Sequence, residues 1–519
     1  MTDHPADFAV ILAHWEARQP DAVAIRFAGS DTTWAELARR VRRAAAALRA
    51  AGLKPGDRIA VLDLNHPSCL ELTLACAQVG TANAVVNFRL ASPEIAYVIN
   101  DSKARLLFVG PEFAGAVEQL RAHLPAVERV IRVGGDGDEY EAWLAAHEPD
   151  GGVHAAAPGD CFLQLYTSGT TGFPKGTMLT HRGMLAHSRN VAATQAFDAG
   201  SRVQVAMPLF HVGGTSYALM AISLGAQIVV MRTPDPAAAL AMIEAEKITH
   251  TFFVPALLAA MNQVPGAAGR DYSSLKALSY GASPMPLPVM RASLKLFPNV
   301  MQQIYGMTEQ SGAVSVLPPE DHVDPAVAHR LVSAGRAISG VEIEIRDPVT
   351  GEPVATGERG EVWVKSDQLM GGYWGQPEAT AATITPDGWL RSGDGGYLDV
   401  DGYLYITDRI KDMIISGGEN IYPAEIERVL AEHPQIQDVA VIGVPDERWG
   451  EVPKAVVVAA PGATLDTEQL LAWCRERMAA FKCPKTVDVV SDLPRNPTGK
   501  ILKKDLRKPY WAGRERQVV

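Results

Sequence analysis

The segment Tyr166-Thr-Ser-Gly-Thr-Thr-Gly-Phe-Pro-Lys-Gly176 follows an apolar run, Cys161–Leu165, that reads as a strand. Gly169 and Gly172 let backbone N–H groups approach an anion closely. The hydroxyls of Thr167, Ser168, Thr170 and Thr171 add donors, and Lys175 adds positive charge. A strand entering such a loop makes a phosphate cradle; the bland alternative is a polar turn. It is not a Walker A loop, because no Gly-Lys-Ser/Thr stands at the required distance from a glycine.

The elements that must hold this loop follow an alternating pattern. Thr33 and Glu36 have capping-box spacing, and Trp34, Leu37, Val41, Ala45 and Leu48 then recur at helical intervals. The intervening Arg39, Arg40, Arg42 and Arg43 read as a solvated face. Gly52 closes that helix, Ile59–Leu64 reads as a strand, Pro67 opens a helix, Ala84–Val86 and Leu106–Val109 read as strands, and Ser92-Pro93 starts a helix between them. Such alternation predicts an α/β fold of mostly parallel, helix-covered sheets. Asp136–Gly152 is polar and glycine-rich and reads as a surface loop. Ser339–Val364 alternates short strands and turns, which predicts a β-rich subdomain. After Asp408 a helix (Pro423–Glu432), strands (Asp438–Val444, Ala455–Ala459) and a helix (Thr467–Ala479) predict a small mobile α+β C-terminal domain. The expected division is 1–408 and 409–519, with a short polar junction suited to a hinge.

Composition narrows the function. The 519 residues are 47% hydrophobic and 21% charged, as in folded proteins. A net charge of −11 argues against non-specific nucleic-acid binding and requires positive charge to be gathered locally at any anion site. Five cysteines without a CxxC pair point away from a disulfide framework or structural zinc and fit a reducing cytoplasm. Acids precede the first short apolar run, unlike a signal peptide. Val205–Met231 lacks Lys, Arg, Asp and Glu, but Pro208, Gly213 and Gly214 interrupt it. It reads as a buried loop, helix and strand, not a transmembrane span.

Further motifs follow the glycine-rich loop in order. They are Met207-Pro-Leu-Phe-His211, Tyr280-Gly-Ala-Ser283, Tyr305-Gly-Met-Thr-Glu309, Arg391-Ser-Gly-Asp394, Asp408-Arg409 and Pro494-Arg-Asn-Pro-Thr-Gly-Lys500. Together they resemble the adenylate-forming superfamily, which holds acyl-CoA synthetases, luciferases and nonribosomal peptide adenylation domains. The run Lys411-Asp-Met-Ile-Ile-Ser-Gly-Gly-Glu-Asn420 with Tyr422-Pro-Ala-Glu425 looks most like bacterial fatty acyl-CoA and aryl-CoA ligases.

The resemblance implies ATP, CoA and Mg²⁺ as cofactors and a small-molecule carboxylic acid as partner. Thr167 and Glu309 suit Mg²⁺, with Thr308 beside the α-phosphate. Tyr305 offers a flat face to adenine, with the backbone of Gly281, Ala282 and Ser283 at its edge and Gly306 beside it. Asp394 can take both ribose hydroxyls and Arg409 ribose or phosphate. Taken singly, Asp394 could instead cap a turn and Glu309 a helix. Lys500 matches the family's catalytic lysine, which bridges the attacking carboxylate and the α-phosphate. His211 is expected to gate the acid, with Val212, Gly213, Gly214, Tyr280 and Gly306 lining the acyl pocket. Lys411 aligns with the hinge, Gly418 (with Gly417) with the pantetheine tunnel, and Trp449 either stacks near CoA or belongs to the core. The tail residues Lys503, Lys504, Arg507 and Lys508 read as solvated, with CoA phosphates or an acidic lipid surface as alternatives.

The expected reaction is the AMP-forming synthesis of an acyl-CoA through an acyl-adenylate, on a medium- or long-chain fatty acid. An aryl acid of cinnamate or benzoate type is the alternative. An amino-acid adenylation domain is a weaker rival, because such domains carry an Asp where this chain has His211.

Overall fold

The computed structural model describes residues 7–167, 174–416, 419–480, 482–495 and 501–512, excluding the side chains of 408, 409, 411, 419 and 420. Two large sheets dominate it. One is six-stranded, in the spatial order 129–132, 106–109, 58–62, 82–85, 161–167, 175–180. It is parallel except for its last pair. The other is nine-stranded and runs from 336–337 through 312–317, 301–307, 277–281, 250–253, 202–205, 227–230 and 23–27 to 30–33. Its interior pairs are parallel and its edges antiparallel. The mostly parallel, helix-covered architecture expected from the alternation is therefore present.

The largest core lies between these sheets and contains helices Trp34–Ala50, Pro67–Val79, His181–Gln195 and Val212–Leu224. A helix packed on both sides must be apolar all round. Every residue from Ser68 to Val79 is buried, and Val212–Leu224 is buried at nearly every position. This explains the uncharged stretch Val205–Met231 without a membrane. Among the described residues no helix is long and apolar enough to cross one. Separate cores cover the outer sheet faces, under helices 236–245, 255–261 and 287–296 on one side and 92–102 and 114–120 on the other. The result is five layers, helices alternating with sheets.

A four-stranded antiparallel sheet (341–346, 360–366, 390–398, 404–409) forms the expected β-rich part. Beyond it, a five-stranded sheet is built around the long hairpin Ile436–Asp446 and Gly450–Ala459. Helices 423–431 and 467–475 share a core with it. Both hairpin strands run further toward the turn than the apolar runs Asp438–Val444 and Ala455–Ala459 suggest. The ladder continues through the polar ends, where pairing and not burial keeps the backbone extended.

Three expectations are corrected. The arginine run is a solvated face only at Arg39, which is exposed. Arg40 makes two-pronged contacts to Glu71 (2.7 and 3.1 Å) and Glu141 (2.8 and 2.6 Å), and Arg42 grips Glu16 at 2.7 Å. Arg40 and Arg42 flank the apolar stripe, so they reach carboxylates on neighbouring elements. Removing Arg40 would leave the buried Glu71 carboxylate without its ion-pair partner, a loss of about 3–5 kcal/mol. The Asp136–Gly152 loop contains a helix, Tyr140–Ala145, which buries Tyr140, Trp143 and Leu144 at i, i+3 and i+4. Of the basic tail, Lys503 pairs with Glu427 at 2.9 Å and Arg507 with Asp412 at 2.7 Å, so neither is merely solvated. The cap at Thr33 accepts from Glu36 N at 3.2 Å, while the Glu36 carboxylate pairs with Arg39.

Candidate active site

The ends of the glycine-rich loop are fixed by a strand pair. Thr167 closes one strand and Lys175 opens the next, directly opposite it. Ser168, Gly169, Thr170, Thr171 and Gly172 lie outside the described residues. The Lys175 strand is stitched to residues 371–374 by Met178 N to Gly372 O (3.0 Å), Gly371 N to Met178 O (2.8 Å) and Trp374 N to Gly176 O (2.8 Å). This brings Tyr373 beneath Lys175, whose ammonium lies 4.8 Å from the ring centroid. The Tyr373 hydroxyl donates to Glu309 Oε1 at 2.8 Å. Glu309 sits in a tight 3₁₀ turn after strand Met301–Met307, and its own carbonyl accepts from Met370 N at 2.9 Å. Lys175, Glu309 and the Thr167 backbone thus converge at the mouth of the loop.

The nucleoside-side candidates converge a short distance along the same strand. Tyr305 donates to Asp394 Oδ2 at 2.6 Å. Asp394 is buried, and the sheet register sets it opposite Arg409. Strands 277–281 and 301–307 approach so closely that a Cβ on Gly281 would stand 2.1 Å from Ile304 O. Ala282, the next residue, adopts φ +67°, a left-handed conformation that disfavours a side chain. Local backbone strain of this kind collects where function over-determines the chain. A Cβ on Gly306 would meet Gly312 O at 2.0 Å, beside a register shift between Tyr305 and Gly306.

On the acid side, His211 is the N-cap of helix Val212–Leu224, and its Nδ1 accepts from Gly213 N at 3.1 Å. Accepting there puts the neutral ring's proton on Nε2. A Cβ on Gly214 would stand 2.3 Å from Pro208 O, and one on Gly213 2.7 Å from Phe252. Only glycines let the loop fold back onto its helix. Tyr280 is placed differently from the expectation. It is fully buried on the opposite face of its strand from Gly281, with its hydroxyl 2.8 Å from His322 Nε2. Alternation along the strand puts Ser279 and Gly281 on one face and Tyr280 on the other.

Trp449 is 42% exposed at the tip of the long hairpin, with Arg448 stacked 4.8 Å from its ring, so it is not a core residue. Lys411 lies in the short turn Ile410–Asp412. The side chains of Arg409 and Lys411, and residues Gly417, Gly418 and Lys500, lie outside the described set.

Several positioning residues escaped sequence reasoning. Tyr373 holds Glu309; its signal was the glycine pair Gly371-Gly372 before two aromatics. Glu361, buried, accepts from Gly393 N (3.1 Å) and Arg391 Nε (3.0 Å) and so fixes the turn before Asp394. Asn65 accepts from Leu209 N (2.9 Å) and donates to Met207 O (3.0 Å), which clamps the loop ending in His211. Tyr166 donates to Asp101 Oδ2 at 2.7 Å, anchoring the strand that enters the glycine-rich loop.

The family model described as "AMP-binding enzyme" matches residues 12–374, and "AMP-binding enzyme C-terminal domain" matches 425–500. A feruloyl-CoA synthase from Amycolatopsis sp is 42% identical over 505 residues, covering 96% of this chain and 99% of that protein. The fatty acid–[acyl-carrier-protein] ligase ScoC of Streptomyces coeruleorubidus is 38% identical, covering 96% of each. The solved structure of ATP-bound MatB from Rhodopseudomonas palustris superposes with a TM-score of 0.88 at 30% identity, covering 97% of this chain and 99% of that one. The chain therefore belongs to the AMP-binding enzyme family and has the adenylate-forming fold, a large N-terminal domain followed by a small C-terminal one.

Proposed function

We propose that this protein joins a carboxylic acid to CoA in two steps, through an acyl-adenylate. In the first, the carboxylate attacks the α-phosphate of ATP and pyrophosphate leaves. In the second, the CoA thiolate attacks the adenylate's carbonyl and AMP leaves. The observation that carries the reading is the convergence of Lys175, Tyr373-held Glu309 and the Tyr305–Asp394 pair around the mouth of the glycine-rich loop. Phosphates would lie on the loop and Lys175, adenine on Tyr305 beside the Gly281–Ser283 backbone, and ribose on Asp394 and Arg409. Lys500 would stabilise charge developing between carboxylate and α-phosphate. His211, which accepts from Gly213 N at Nδ1, would stand at the carboxylate end of the acid site.

Glu309 suits Mg²⁺. One oxygen takes the Tyr373 hydroxyl, and the described residues contain no group of three or more His, Cys, Asp or Glu that would make an all-protein cage. Mg²⁺ typically takes one or two carboxylates plus substrate phosphates. When bound it would neutralise phosphate charge.

In this reading, residues 1–408 hold nucleotide and acid. Residues 409–519 turn about Lys411, withdraw Lys500, and bring Gly417, Gly418 and the exposed Trp449 to the CoA path. The acid is apolar in its body, either the fatty acid expected from the sequence or an aryl acid. The two curated relatives above carry one name of each kind. Pyrophosphate release on adding acid and ATP alone, with AMP turnover requiring CoA, is the expected result. Turnover to AMP that ignores CoA would overturn the ligase reading.

A further inference from the structure

The nine-stranded sheet carries polar side chains on a face where packing alone would call for apolar ones. Tyr217, Gln195, Ser279 and Gln302 are each at most 5% exposed, between helices 181–195 and 212–224 and the sheet. Gln195 Nε2 donates to Ser279 Oγ at 3.2 Å, and Gln302 Nε2 to the same oxygen at 2.9 Å. The Tyr217 hydroxyl reaches Gln195 Oε1 at 3.3 Å and Thr251 O at 3.4 Å. His250 Nε2 lies 2.9 Å from Gln195 O and holds that helix end in place. On the opposite face the same strands present Phe253, Leu278, Tyr280 and Met301 to an apolar core. Burying four polar side chains is costly unless they are hydrogen-bonded, and here they bond chiefly to one another.

Their position suggests a use. Ser279 lies on the same strand face as Gly281, two residues inward, or about 7 Å. Tyr217 is one helical turn inward of Gly213. The cluster therefore stands behind the His211–Gly281 end of the acid site, at about the reach of one aromatic ring. Both contacts of the Tyr217 hydroxyl, at 3.3 and 3.4 Å, are longer than an ordinary O–H···O bond, so this hydroxyl has capacity for another partner. A methyl terminus pressed against it would cut off water without replacing its hydrogen bonds, whereas a phenolic or ether oxygen would supply a partner.

We propose that Gln195, Tyr217, Ser279 and Gln302 form the far wall of the acid site and select a compact aromatic acid bearing a ring oxygen over a straight-chain fatty acid. This rests on the ligase reading above. A wall that bonds a substrate hydroxyl rejects the analogue lacking it far more strongly than an apolar wall can.

The test uses the full-length enzyme with ATP and CoA, and compares 4-hydroxycinnamate, cinnamate, octanoate and palmitate. The expected kcat/KM for 4-hydroxycinnamate exceeds that for cinnamate at least tenfold and that for palmitate at least a hundredfold. In Gln195→Leu and Ser279→Ala the hydroxycinnamate-to-cinnamate ratio falls toward one; Tyr217→Phe gives the same readout should either variant fold poorly. A purely structural cluster would instead lower the thermal midpoint and both rates in parallel, leaving the ratio unmoved, and that overturns the proposal. Preference for palmitate with normal CoA-dependent turnover overturns it while leaving the ligase reading intact. Absence of CoA-dependent AMP formation with every acid overturns both.

Discussion

The large part of this enzyme holds its candidate site residues by close packing, whereas the small part is tied to it by a partly exposed ion pair. In the large part, the candidates stand on or just beyond strand ends and are locked by contacts that leave no room. Gly281 faces Ile304 O, Gly306 faces Gly312 O, and Glu309 and Asp394 are each gripped by a tyrosine. In the small part, the described tie to the rest includes an ion pair. Arg359 of the large part pairs with Glu425 of the small part and stacks on Tyr422 at 4.6 Å. Partly exposed pairs such as Arg359–Glu425 contribute about 0–1 kcal/mol each. Under the proposed two-step reading, a region that swaps Lys500 for the CoA path is better tied by contacts that are cheap to remake. A region that must hold nucleotide through both steps is better built by close packing.

The sharpest way to break this contrast is Lys500→Ala. If the lysine is delivered only for adenylation, pyrophosphate release falls at least about a hundredfold. CoA attack on supplied acyl-adenylate is largely retained. Near-normal pyrophosphate release would remove Lys500 from the chemistry.

Glycines on the two sides give the next largest effect. Gly281→Val places carbon against a fixed carbonyl 2.1 Å away from its Cβ, so both half-reactions and the thermal midpoint should fall together. Gly418→Leu should spare single-turnover pyrophosphate release, accumulate acyl-AMP and yield little acyl-CoA. Equal losses in both half-reactions for Gly418→Leu would mean that the two parts do not differ as described.

How far the residues spoke for themselves follows the same divide. Alternating helices and strands were legible because a helix between two sheets must be apolar all round, and Ser68–Val79 and Val212–Leu224 are. Motif residues were legible because their order along the chain is distinctive. The partners that orient them were not. Glu361, Asn65 and Tyr373 act across 30 to 144 residues of sequence through one or two hydrogen bonds each, and no local periodicity marks such a contact. Arg40 was misread for the same reason, since its carboxylates lie 31 and 101 residues away.

Tyr373→Phe is a gentler test of the close-packed side. It removes one hydroxyl and leaves the ring under Lys175. Glu309 then loses the bond that orients it, and the KM for ATP should rise about tenfold, most at low Mg²⁺, with a smaller change in kcat. The KM for the acid should stay close to wild type. A parallel rise in both would show that Tyr373 acts through folding.

The smallest effect is a pH dependence of stability that should belong mainly to the large part. Burial holds His66, His181 and His187 down to about 4. In the unfolded chain a histidine titrates near ~6.5. Between those values the unfolded state binds protons that the folded state refuses, so stability falls as pH drops from about 6.5 toward 4. Asp63 opposes this. Burial raises its carboxyl to about 6 against the pull of Arg232, so the folded state takes up one proton where the unfolded chain does not. Three groups outweigh one, and the net slope should be positive. The small part holds a single histidine, His433, which burial also shifts downward. Denaturant unfolding at pH 7.0 and 5.5 measures the difference. His187→Gln should shrink it by about 1 kcal/mol, the linkage expected of one ring shifted this far. His433→Gln should leave it nearly unchanged. An unaltered slope in His187→Gln would mean that this ring is not held neutral by its surroundings, and that the acid sensitivity of the large part has another source.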